Sequence, residues 1–531
     1  MGTSGSSAVV SSSSSVSGSS SGMGQAVQLA SHLTGTQEVP PVITAAAGSA
    51  TVDVAADRLS FTVTLNVTGL VGGNAAHIHA GEPGVNGPVL FTLASGTVVT
   101  PLMQTFTAAE LMAQPAAGIS TFEDAINAML GGGTHINVHS ATFPGGEIRG
   151  HVGPTTFTSI LTGGQEVPAT AVVTMGTATV VLNGMHQQIQ VTLTAPGLAD
   201  ITAAHIHAGG TGINGPVIFP LATGPFTGSP DVTLTAAQFT PSSDIATFAD
   251  AVTAILAGLT YVNVHTTPLP AGAIRGQLGA VTLHAVLSGT QETTPTTSTA
   301  RGTGTVTINA AQDMLTVSLD ADSVQDPTGA HIHLGALGVS GGVLFPVSTA
   351  NLDGTPQTST ATDLMPTGTV ATLDDAVAAL LEGRTYFNVH TAASPDGEIR
   401  GQIGRVTMNA TLSGANEVPP VVTTATGTAL VTLDGAHQQI EASLDATGLT
   451  SVTGAHLHAA PAGMNGPVIF PLPTGPFPET TTLTATELVP DVGAGINTLD
   501  DAVNAMLSQR VYVNVHTMAN PSGEIRGQVN P

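Results

Sequence analysis

The chain has 531 residues, too many for one core at ~100–200 residues per domain, so several domains are expected. Its 35 Asp and Glu face only nine cations, all arginine, for a net charge of −26, which excludes phosphate backbones and anionic lipid surfaces as partners and leaves metal cations and cationic surfaces. Cysteine is absent, which excludes disulfides, thiolate ligands and cysteine nucleophiles.

Hydrophobic residues make up 41%, but aromatics only 3%, and Trp is missing. With 63 Gly, 34 Pro and long runs of Thr, Val and Ala, the interior must be built from small and β-branched side chains, which points to an all-β class. No apolar run approaches the ~20 residues of a membrane span. Residues 1–24 hold 12 Ser and five Gly, the composition of a flexible tether. They contain neither the basic nor the apolar region of a signal peptide. The expectation is a mature secreted or lipid-anchored chain whose export segment has been removed, against the plainer reading of a cytoplasmic tail.

After this tether one block order recurs four times. It opens with Leu33-Thr-Gly-Thr-Gln-Glu38, Leu161-Thr-Gly-Gly-Gln-Glu166, Leu287-Ser-Gly-Thr-Gln-Glu292 and Leu412-Ser-Gly-Ala-Asn-Glu417, at periods of 128, 126 and 125 residues. The repeats are placed at 25–153, 154–280, 281–405 and 406–531. Strands with apolar residues at every second position follow, as in Leu59-Ser-Phe-Thr-Val-Thr-Leu65, then a His-x-His segment, a Gly/Asn/Pro loop and a short apolar strand. Thr121, Thr247, Thr372 and Thr498 each precede an Asp by three residues, a capping-box pattern that predicts one short helix per repeat, stopped by Gly131 and Gly258 in the first two. A His-ended strand and a Gly-x-Ile-Arg-Gly segment close the block. From that last Gly to the next opening Leu is always 11 residues, so the expectation is a semi-rigid string of four antiparallel β-sandwiches.

Twelve of the 18 histidines occupy three recurring positions: His77, His79 and His139; His205, His207 and His265; His331, His333 and His390; His456, His458 and His516. Residues two apart in a strand share a face, so both histidines of His-x-His reach one point while Ile78 and its counterparts enter the core. The same parity puts Asn263 and His265 outward. Three converging imidazoles suit zinc or copper, up to one ion per repeat, better than calcium or magnesium. The plainer reading is that these histidines fix turns. Repeats that have drifted elsewhere but hold His at all twelve positions favour the metal.

Glu147, Glu398 and Glu524 stand two residues before Arg149, Arg400 and Arg526, while Arg275 is preceded by Ala273. These seven charged residues are placed behind the metal ligands rather than among them, the Glu–Arg pair being read as an ion pair pinning an edge strand, with an anion-steering Arg as the alternative. Asn86-Gly-Pro88 and its counterparts read as turn chemistry without a catalytic role. Glu82 suggests a His-x-His-x-x-Glu ligand set, but Gly210, Ala336 and Pro461 replace it.

The order Gln/Asn-Glu, Ala-His-Ile/Leu-His, Gly-Pro-Val-x-Phe, Asn-Val-His, Gly-Glu-Ile-Arg-Gly resembles the CHRD domain, the module named after chordin. The resemblance covers four tandem copies and implies an extracellular immunoglobulin-like or superoxide-dismutase-like β-sandwich. The leading reading is a secreted or surface-tethered protein binding copper or zinc. A metal-free adhesive array binding a protein or polysaccharide is the competing reading, and a dismutase-like copper enzyme or water-activating zinc site is a third. No catalytic residue is assigned, and oligomeric state is left open.

Overall fold

A computed structural model describes residues 25–224, 230–321 and 323–531. The tether read at residues 1–24 lies outside them. In the first repeat the strands are β1 (Val27–Thr34), β2 (Ala47–Val54), β3 (Phe61–Thr68), β4 (Gly73–Ala80), β5 (Val89–Ser95), β6 (Leu102–Phe106), β7 (Thr134–Ser140) and β8 (Ile148–Val152), with helix α1 (Phe122–Gly131) between β6 and β7. They run in the order β5-β4-β7-β8-β1-β2-β3-β6, every pair antiparallel. Between β8 and β1 the ladder shrinks to the single pair Arg149 with Thr34, so the sheet folds there into two four-stranded layers. The other three repeats keep this order, and in the second the corner is reduced to the isolated bridge between Thr162 and Arg275. The protein is thus four tandem all-β sandwiches.

Period-two patterning builds the core. Phe61, Val63 and Leu65 alternate inward from β3, and Ile78 enters from β4. Phe61 packs against the rings of Phe91, Phe106 and Phe122 at 5.0 to 5.8 Å. Leu59, which the alternation also places inward, is 70% exposed because β3 begins only at Phe61. α1 and its counterparts α2 (Phe248–Leu256), α3 (Leu373–Leu381) and α4 (Leu499–Leu507) start at the expected threonines. Thr121 Oγ1 accepts the Asp124 N–H at 3.1 Å and Asp124 Oδ2 accepts the Thr121 N–H at 2.8 Å. The stop differs from expectation: Gly132, not Gly131, takes the left-handed cap at φ 77°. In the second repeat Ala257 is the cap residue, and Gly258 follows at φ 72°.

The joints are short, only Gly153 and Pro154 separating β8 from the next strand. Yet the array is more than a string. A hairpin turn in each later repeat inserts into the repeat before it: Ala30, Thr158 and His284 donate their N–H groups to the carbonyls of Gly184, Ala310 and Gly435 at 2.9, 3.0 and 2.8 Å. The same turns reach back two repeats, Ala310 N–H to Pro83 O at 3.2 Å and Gly435 N–H to Thr211 O at 2.8 Å. Arg405, in the joint before the fourth repeat, donates to the carbonyls of Gly164, Gln165 and Glu166 in the second. Each module therefore touches its neighbour and its next-but-one neighbour, which makes a closely wound coil.

Two joints carry titratable plugs. The tip residues His186 and His437 are 3% and 2% exposed and bond Gly153 O and Gly404 O at 2.9 and 2.7 Å, while Gln312 fills the middle joint. Burial, then the neighbouring His32, lowers His186 to about 4; burial, then His284, lowers His437 to about 3. A histidine freed by unfolding titrates near 6.5, so the native state binds fewer protons below that pH. The stabilisation is complete above pH ~6.5 and is lost as pH falls toward 4 and 3. We expect the double variant His186→Gln, His437→Gln to lose less of its melting temperature than the parent between pH 6.5 and 4, measured by circular dichroism.

Candidate metal centre

The candidate ligands sit on the outer face of the β4–β7 layer. His77 and His79 lie on β4, and His139 on β7, where His77 stands opposite Asn137 and His139 opposite Ala75. β-bulges between β4 and β5 fall at Ala76/His77 and Ile78/His79, and a bulge recurs immediately before His207, His333 and His458. A bulge re-aims the side chain that follows it. In each repeat one nitrogen from each of the three histidines lies within 4.8 Å of the other two. The triangles nearly superpose: the outer pair, His77 and His139, has ring centroids 5.0 Å apart, against 4.9, 5.2 and 5.0 Å in the later repeats.

Two of the three rings in each repeat are aimed by a hydrogen bond on the other nitrogen. His79 Nδ1 meets Gly87 O at 2.8 Å, and His207, His333 and His458 meet Gly215, Gly341 and Gly466 in the same way. His139 Nδ1 meets Pro144 O at 3.1 Å, with matching bonds at His265, His390 and His516. That leaves Nε2 of both rings facing inward, a backbone carbonyl fixing the tautomer as it does in metal sites. Nε2 of His79, His207, His333 and His458 is buried without a partner, as are His331 Nδ1, His390 Nε2, His456 Nδ1 and His516 Nε2. In the first two repeats His77 Nδ1 and His139 Nε2 stand 3.2 Å apart, and His205 Nδ1 and His265 Nε2 3.0 Å. Two nitrogens bound tetrahedrally at ~2.0–2.1 Å stand about 3.3 Å apart, so the spacing fits a zinc-sized ion.

Burial disfavours the charged form of these rings where a shift is seen. Burial, opposed by the carbonyl bond, lowers His79, His207, His333 and His458 to about 4, and burial with the facing imidazole also lowers His77 and His205. In the fourth repeat a surface groove of about 250 Å3, lined by Thr453, Gly454, His456, His458, Val468, His516 and Pro521, opens onto the triangle.

Behind the triangle the arrangement departs from the sequence reading. β8 lies between β7 and β1 and is not an edge strand. Glu147 accepts from Thr44, Glu398 from Ser298 and Thr391, and Glu524 from Thr423 and Thr517; no ion pair joins any of them to the arginine two residues on. The acid nearest Arg149 is Glu38, at 3.3 Å. Glu38, Glu166, Glu292 and Glu417 are buried, and burial, opposed by the arginine, raises each to about 7. Nor do the arginines steer anions. Arg275, Arg400 and Arg526 are 1–2% exposed and lie 3.4 to 3.5 Å over the rings of Tyr261, Tyr386 and Tyr512, which in turn stack on His207, His333 and His458. His135 replaces the tyrosine in the first repeat and stacks on His79. The guanidinium groups donate to loop carbonyls, Arg275 to Gly210 at 2.7 Å, Arg400 to Ala336 and Val339, Arg526 to Met464, and Arg149 to Val85 and the Asn86 side chain. The loop given no role by its turn chemistry thus carries the glycine carbonyl that aims a candidate ligand, and Asn263 and His265, on the outer face, are buried, Asn263 against Glu166 and His265 against Pro270 O.

The CHRD domain family model matches residues 29–152, 157–278, 283–403 and 408–529. The chain belongs to the CHRD family. A search of curated proteins and one of solved structures each return no match. Every CHRD repeat here contains one histidine triangle and, in its Gly-x-Ile-Arg-Gly segment, a buried arginine.

Removing that arginine leaves loop carbonyls unbonded and a buried carboxyl without its cation. Arg526→Met in the fourth CHRD repeat is expected to destabilise it by about 3 kcal/mol, read as a lower urea midpoint of the corresponding transition.

Proposed function

We propose that this tandem CHRD protein is a secreted or surface-tethered binder of a divalent transition metal, copper or zinc, with one three-histidine site per repeat. The observation that carries the reading is the convergence, in all four repeats, of three imidazoles on one point, two of them turned toward it by a backbone carbonyl. Metal ligation is the use that accounts for buried ring nitrogens without partners. The ligand set leaves a coordination position facing solvent, where water or a small anion completes the sphere. Secretion rests on the CHRD membership, since CHRD modules are typical of extracellular proteins; no helix among the described residues is long and apolar enough to cross a membrane.

Binding is favoured over turnover. The residues lining the groove in the fourth repeat include no carboxylate, so no general acid or base stands beside the open position there. Arg526, which a dismutase-like reading needs at the surface, is buried over Tyr512. A metal-free adhesive array would bind a protein or polysaccharide through the same rigid coil, and it predicts no stoichiometric metal.

Protein purified without a His-tag and dialysed against zinc or copper should retain four ions per chain by elemental analysis. His139→Ala, His265→Ala, His390→Ala and His516→Ala combined should reduce affinity by at least a hundredfold while the circular dichroism spectrum is retained. Metal content near zero in the parent overturns the reading in favour of the adhesive array. Copper-loaded protein that outpaces free copper in superoxide dismutation would restore the enzyme reading.

A further inference from the structure

The three internal joints share one design, and the two ends of the coil present its separated halves. At each joint the last turn of a helix packs on the first strand of the preceding repeat, α2 on β1, α3 on Thr155–Leu161 and α4 on Val281–Ser288. The leucine closing that turn is 1%, 0% and 2% exposed at Leu256, Leu381 and Leu507. In the first repeat the equivalent Leu130 is only partly buried. Ala56, equivalent to Ala310 and Gly435, has no backbone partner on either its N–H or its carbonyl among the described residues, and neither has the N–H of Gly184.

The opposite end offers the receiving half. The region walled by Glu82, Pro83 and Leu256 at the first joint encloses only about 10 Å3. Its counterpart at the third joint, where α4 is present but no further hairpin packs among the described residues, measures about 240 Å3. In the fourth repeat it is a groove of about 630 Å3, lined by Asn409, Thr411, Asn416, Ala462 and Gln528 among others. The carbonyls of Leu337 and Ala462, equivalent to those of Pro83 and Thr211 that receive hairpin N–H groups, accept no hydrogen bond among the described residues.

The side chains match as well. At the third joint Asn504 Oδ1 accepts from Ser288 Oγ at 2.7 Å and from Gln291 Nε2 at 3.0 Å. The first repeat carries Asn127 at the position of Asn504, and the fourth carries Ser413 and Asn416 at those of Ser288 and Gln291. Asn127, Ser413 and Asn416 are all solvent-accessible; Arg58 reaches Asn127 Oδ1 only at 3.4 Å, and since Asn416 Nδ2 already donates to Thr411 O and Arg526 O, Ser413 is the donor left for Asn127. Gly131 would meet Ala415 where Ser508 meets Thr290, small against small.

We propose that this end face binds a second copy of the chain head to tail, the first repeat of one copy docking on the fourth repeat of another and continuing the coil. Ala56 N–H then reaches Leu337 O, Gly184 N–H reaches Ala462 O, and Leu130 enters the groove. One bond of the internal joints is not repeated, because Asn409 N–H is already taken by Asn530 O at 2.7 Å. A contact between two different faces adds chains successively rather than closing a symmetric pair. Metal binding plays no part in it.

Sedimentation velocity of the full chain from micromolar to millimolar concentration should show mass rising through two, three and more multiples of 52.7 kDa. Leu130→Asp blocks the head and Ser413→Arg the tail, so each should remain a single chain where the parent grows. Their equal mixture should give a two-chain species and nothing larger, since each variant keeps one intact face. Circular dichroism melts check that both are folded, and Asn127→Arg replaces Leu130→Asp if that variant melts early. A parent that stays at one chain mass throughout, a dimer that does not grow, or variants that associate like the parent would each overturn the proposal.

Discussion

A buried guanidinium holds each site together. It is seated over an aromatic ring in three repeats and held near a buried glutamate, and it spends its donors on the carbonyls of one loop. That loop returns a glycine carbonyl to the second histidine of His-x-His, so the orientation of a candidate metal ligand depends on an arginine outside the histidine triangle. Placing such a charge in the interior is unfavourable unless it is bonded and partnered, which is why loop carbonyls, ring and carboxyl recur around it together. The raised glutamates and lowered histidines are two results of the same burial, which penalises whichever form is charged.

The architecture and the triangle were legible because both rest on strand parity. Alternation placed Phe61, Val63 and Leu65 inside, and the two-residue spacing placed His77 and His79 on one face. What parity does not reveal is which loop covers a face. Glu147 and Arg149 do lie near each other along the chain, but Glu147 turns to Thr44 on a segment about a hundred residues away, and Arg149 finds Glu38. A signal was available: Ala273 breaks the first pairing, whereas Glu38, Glu166, Glu292 and Glu417 recur without exception, as a partner of a recurring arginine should. The tyrosines carried another. All three in the chain stand four residues before the third histidine, on its face of the strand.

The joints were legible only in part for the same reason. A constant spacing of 11 residues excludes a slack linker, and the connections of two or three residues agree. The contacts between alternate repeats come instead from hairpin tips at Gln312 and His437, which nothing in the local pattern distinguishes from solvent-facing turns. Their burial is a property of the coil as a whole, in which a period near 126 residues brings the same tip to the same seat each time.

The charge of the chain bears on metal capture in a way the sites alone do not. The side chains of each triangle are imidazoles, which carry no negative charge, so an ion held there would not have its charge cancelled by the atoms that hold it. The compensation comes from the acidic surface at long range: four divalent ions would bring the net charge from −26 to about −18, still strongly negative. On the proposed reading, cations would be drawn toward the protein at every stage of loading, while the choice among them would fall to the imidazoles, which suit copper and zinc better than oxygen-seeking calcium and magnesium. Attraction and selection would thus be separated: the long-range field gathers cations, and imidazoles rather than the carboxylate clusters that admit calcium would choose among them.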